Sequence, residues 1–92
     1  MNVADTMRRK LVAALSPRRL VIKDESHLHA GHAGARAGGE SHFRVLVVST
    51  AFEGRSQVER QRAVNAALKD ELAGPVHALA MRTLTPSEFE AG

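Results

Sequence analysis

Apolar residues open the chain at a spacing of four: Val3, Met7, Leu11 and Leu15, with Val12 and Ala14 alongside. Such spacing lines one face of an α-helix. Ser16-Pro17 ends it, because proline disfavours the helical conformation of the residue before it. Between Arg19 and Glu25 the run Leu20-Val21-Ile22 predicts a short strand. From His42 to Thr50 the period becomes two. Phe43, Val45 and Val47 fall on one face and Leu46 and Val48 on the other, so this strand is expected to be covered on both sides.

Phe52-Glu53-Gly54-Arg55 predicts a turn. Ser56 and Glu59 have the spacing of a capping box, which starts a helix at residue 57. Val64, Ala67, Leu68 and Leu72 give that helix its stripe, and Gly74-Pro75 stops it. Val76 to Leu84 predicts a third strand. Thr85-Pro86-Ser87-Glu88 repeats the capping signature with proline at the first helical position, opening a short last helix. The elements therefore run helix, strand, long loop, strand, helix, strand, helix. The pattern predicts an α+β sandwich, with a three-stranded sheet and helices on one side. Its 92 residues suffice for a single domain, residues 1–92 with a core at about 3–90.

Residues 26–41 interrupt the periodicity. With Gly31, Gly34, Gly38 and Gly39 among small residues, the segment predicts a flexible loop longer than most connections. It also gathers histidine: His27, His29 and His32 lie within it, His42 follows it, and His77 opens the third predicted strand. Imidazole is a common metal ligand, so a metal or cluster site is one reading; solvated side chains in a polar loop are the plainer one. His77 alternates with Leu79 and Met81, which also suits a half-buried histidine bonded to backbone. The glycines do not form a phosphate-binding loop, because no Gly-Lys-Ser/Thr follows and the next element is a strand.

Composition narrows the chemistry. The chain has no cysteine, so it offers no thiolate to a zinc ion, to an iron–sulfur cluster or to a substrate. No Ser–His–Asp arrangement or catalytic carboxylate pair is visible, and the chain is not expected to be an enzyme. Thirteen basic and ten acidic residues leave a net charge of +3. Most of the excess lies in residues 1–19, where Arg8, Arg9, Lys10, Arg18 and Arg19 face Asp5 alone. Arg8, Arg9 and Lys10, with Arg55, Arg60 and Arg62 ahead, are therefore candidate nucleic-acid contacts. Glu53 and Glu59 sit among the latter group, and three Phe with no Tyr or Trp offer little for stacking on bases. No apolar run reaches the length of a membrane span, and no leader is recognisable, so a cytoplasmic protein is expected.

Taken together, these motifs resemble the BolA family. The resemblance rests on Asp24-Glu25-Ser26 with a histidine-bearing loop, Ser41-His42-Phe43-x-Val45-x-Val47-Val48-Ser49 and Phe52-x-Gly54. It continues through Arg60-Gln61-Arg62-x-Val64, Leu68, Glu71-Leu72, Val76-His77-Ala78-Leu79 and Thr85-Pro86-x-Glu88. It implies a class II KH-like αββαβα fold. It also implies a monothiol glutaredoxin as partner in a heterodimer and a 2Fe–2S cluster shared with it. The glutaredoxin cysteine and a bound glutathione would supply the thiolates. This chain would supply His77 and one loop imidazole: His29 when counted forward from Asp24-Glu25-Ser26, or His32 when counted backward from Ser41-His42-Phe43. Alone it would carry no cluster and be a monomer or weak homodimer. The rival implied by the family is a DNA-binding transcriptional regulator of stress response and cell morphology, with weak DNA binding. Gln61 and Phe89 depart from the family's usual His and Trp, the loop is longer than in many relatives, and no KH-type Gly-x-x-Gly turn is present.

Overall fold

The computed structural model describes residues 2–26 and 41–92. Strands β1 (Arg19–Asp24), β2 (His42–Val48) and β3 (Ala78–Leu84) form one sheet in the order β1-β2-β3. β1 runs antiparallel to β2, with Val21 opposite Leu46, and β3 runs parallel to it, with Ala78 opposite His42. A parallel pair requires a crossover. Here it carries a 3₁₀ turn (Thr50–Phe52) and two helices, α2 (Gln57–Ala67) and α3 (Lys69–Ala73). Helix α1 (Val3–Leu15) precedes the sheet and α4 (Pro86–Ala91) follows it. The expected α+β order is present.

The core lies between the helices and one sheet face. Met7, Leu11 and Leu15 of α1 join Phe43, Val45 and Val47 of β2, Phe52, Val64 and Leu68, all buried. Each such side chain contributes about 1.5–3 kcal/mol through its burial. Val12, which the helical stripe included, is half exposed because it lies off the buried face.

Local chemistry sets the ends. α1 is capped by Asn2, whose side chain accepts from the Asp5 N–H at 2.8 Å, and it ends on Ser16 in the left-handed region at φ 43°. Both predicted capping boxes form: Ser56 with Glu59, and Thr85 with Glu88. The long predicted helix is instead two. It breaks at Leu68 (φ −106°, ψ 20°), which leaves the helical conformation while its side chain stays in the core. The third strand starts at Ala78 rather than Val76, because pairing with β2 begins only at His42.

The second sheet face departs from the expectation of a strand covered on both sides. Val48 is buried as expected, but Arg44 is exposed and Leu46 half-buried, since α1, α2 and α3 pack on the opposite face. Among the described residues, α4 alone reaches over this side, at the Arg19 end, where the Arg19 guanidinium lies 5.5 Å from the centre of the Phe89 ring.

Candidate functional site

His42 and His77 meet at one end of the sheet. Their ring centroids are 5.3 Å apart, tilted by 52°. His42 is buried and its Nδ1 lies 2.8 Å from Ser41 Oγ. His77 is exposed. Its alternation with Leu79 and Met81 does not bury it, because it sits before the first β2–β3 pair and outside the pleat. The backbone nevertheless holds it: the His77 N–H donates to the Ser41 carbonyl at 2.7 Å, and the Ala78 N–H joins at 3.2 Å.

The same residue closes the base of the histidine-rich loop. Asp24 accepts from the Ser26 N–H at 2.9 Å and from its hydroxyl at 2.5 Å. Ser26 Oγ in turn accepts from the N–H groups of Ser41 and His42, at 2.9 and 3.2 Å. Ser26 and Ser41 are both buried. Buried backbone donors need partners, and one serine hydroxyl here satisfies two. The loop ends are thus tied to each other and, through the Ser41 carbonyl, to the backbone of His77. In the sequence these serines stand out only within the family motifs, and small polar residues on both flanks of the histidine-rich segment are the available signal. His27, His29 and His32 lie outside the described residues, so the choice between His29 and His32 is untouched. Among the described residues no group of three or more metal-binding side chains assembles.

The basic candidates divide. Arg60 is not a surface contact, which corrects the sequence expectation. It is buried, with Nε donating to the Arg55 carbonyl (3.1 Å) and Nη1 to the Thr83 carbonyl (3.1 Å) and to Glu88 (2.7 Å). The Arg60 hydrogen bond, then that from the Thr85 backbone, holds the Glu88 carboxyl at about 2, well below its ordinary 4.5. Lys10 is also engaged, donating to Glu71 at 2.7 Å and to Asp70 at 3.5 Å, and its pKa is raised chiefly by the Glu71 bond. Arg8, Arg9, Arg55 and Arg62 remain exposed. Gln61, in the place of a usual histidine, is exposed on α2.

A family model described as BolA-like protein matches residues 11–88. The chain belongs to the BolA-like family. Mouse BolA-like protein 1 is 52% identical over 87 residues, covering 95% of this chain and 61% of the relative, so this chain spans less than two thirds of it. The solved structure of BolA1 from Arabidopsis thaliana superposes with a TM-score of 0.86 at 47% identity, over 96% of both chains. A segment of the Arabidopsis SufE-like protein 1, chloroplastic/mitochondrial, is 43% identical over 86 residues, covering 89% of this chain and 23% of that protein. This BolA-like chain has no described helix long and apolar enough to cross a membrane.

Proposed function

We propose that this BolA-like chain is a non-enzymatic partner in iron–sulfur cluster handling, sharing a 2Fe–2S cluster with a monothiol glutaredoxin. The observation that carries the reading is His77: an exposed imidazole on a fixed backbone, bonded to Ser41 where Ser26 and Ser41 tie together the ends of a segment whose sequence has three more. A ligand donor must reach solvent to be shared with a second protein, and His77 does. A cluster needs more donors than this site has, and the chain has no cysteine, so the sulfur ligands come from the partner and its glutathione. His77 would hold one iron, with His29 or His32 as the loop donor. Imidazole in place of thiolate makes binding sensitive to histidine protonation, which suits a cluster passed on rather than kept.

The test is mixing with a monothiol glutaredoxin, glutathione, iron and sulfide, followed by visible spectroscopy and size-exclusion chromatography. A coloured one-to-one complex is expected, with the isolated chain colourless. His77→Ala should weaken the complex with the amide NMR spectrum otherwise intact. A stable cluster on the isolated chain, or no change in the glutaredoxin's own cluster spectrum, overturns the reading. No observation favours the DNA-binding rival: two of its six candidate residues, Lys10 and Arg60, are already engaged by carboxylates.

A further inference from the structure

The open face of the sheet carries a charge pattern that no part of the cluster reading uses. Alternation and register place Arg19, Val21 and Lys23 of β1 beside Val48, Leu46 and Arg44 of β2, all on the face opposite α1, α2 and α3, with Val48 buried at the end that α4 approaches. Arg82 of β3 pairs with Leu46 and adds a cation on the flank. Arg19, Val21, Lys23, Arg44 and Leu46 line a trough of about 350 Å³. A second hollow of about 120 Å³ shares Leu46 and runs past Arg82 to Leu84 and Phe89. Arg44 is paired with Glu25 at 3.2 Å. Among the described residues, Arg19, Lys23 and Arg82 have no carboxylate within ion-pair distance.

We propose that this face is a docking surface for an extended acidic polypeptide segment with an apolar residue at its centre. The pattern decides the occupant. Side chains two apart on a strand are about 7 Å apart, so cations stand about that far to either side of the Val21–Leu46 pair. An extended partner of the form acid-x-apolar-x-acid repeats the same spacing, setting its apolar side chain on Val21 and Leu46 and its carboxylates on the flanking cations. A nucleic-acid strand fits less well. The centre is aliphatic, and the Phe89 ring at the border, though 39% exposed, already carries the Arg19 guanidinium 5.5 Å from its centre. This inference is independent of the cluster reading, since its test contains neither cluster nor glutaredoxin.

The probe is acetyl-Glu-Glu-Ser-Leu-Ser-Glu-Glu-amide, titrated into the ¹⁵N-labelled full chain at low salt. Amide shifts are expected on Val21, Lys23, Leu46 and Arg82. Replacing the probe's leucine by serine should weaken binding at least about fivefold, a modest share of the free energy of burying one leucine. The double variant Lys23→Glu/Arg82→Glu, both sites exposed, should abolish the shifts while the rest of the spectrum certifies the fold. Four outcomes overturn the proposal. They are no shifts at millimolar probe, equal binding of the leucine-free probe, shifts spread equally over Arg8, Arg9, Arg55 and Arg62, or tighter binding at the same face by a ten-nucleotide thymidine strand.

Discussion

At the scale of single residues, Ser26 ties Ser41 and His42 to the end of β1. Its hydroxyl is the acceptor for two buried N–H groups across the loop base. Ser26→Ala removes that acceptor from both, at a cost on the order of 1–3 kcal/mol where a buried donor such as the Ser41 N–H is left unpaired. Urea unfolding should show that loss, and amide exchange should accelerate first at Ser41 and His42. Glu88 makes a second testable case. Its folded pKa of about 2 lies below the ordinary 4.5, so the stability from its Arg60 and Thr85 bonds is complete above pH 4.5. It is lost as pH falls through 2. Glu88→Gln should therefore be less stable than the parent near neutrality, and the two melting curves should converge in acid. A parallel offset at every pH would assign Glu88 a role other than charge.

At the scale of elements, caps and breaks carry the architecture. The Ser56–Glu59 box fixes where α2 starts, and the backbone bond it makes keeps the Glu59 pKa low. Ser56→Ala should cost about 1 kcal/mol, seen as a lower midpoint in urea at unchanged slope. Leu68 sits at the break between α2 and α3 and is fully buried. A regular 3.6-residue pattern ran straight through it, because periodicity records which side chains are buried and not whether the backbone between them is continuous. Past the break, Glu71 of α3 accepts from Lys10 of α1.

At the scale of the whole molecule, the cationic residues sort into distinct sets. Arg60 and Lys10 serve internal contacts, Arg8, Arg9 and Arg62 lie exposed on helices with Arg55 exposed just before α2, and Arg19, Lys23, Arg44 and Arg82 crown the open sheet face. If DNA binds through Arg8, Arg9, Arg55 and Arg62, each releases close to one counterion, and the slope of log affinity against log salt should be no steeper than about −4. Sequence preference should stay below about 10³-fold, the low end for specific binders. Fluorescence anisotropy over a salt series with two unrelated duplexes measures both. A steeper slope would recruit the sheet face to DNA and count against its docking an acidic peptide.

What the amino-acid sequence determined by itself was local. Helix α1 with its Ser16-Pro17 stop, the two capping boxes, the alternation in β2 and the absence of cysteine each follow from neighbours a few residues apart. His77 was also legible, as part of a motif. Only the tertiary structure decided which polar residues meet across long separations. It buried Arg60 beneath Glu88, tied Ser26 to Ser41, set the His77 N–H on the Ser41 carbonyl, and stood His42 beside His77. It also gathered four cations from three strands onto one face, which strand parity permits but only register places side by side. The physical reason is the same throughout. Period and capping are properties of one segment, whereas burial, ion pairing and cross-strand neighbours depend on how the β2–β3 crossover and the antiparallel β1–β2 pairing bring distant segments together.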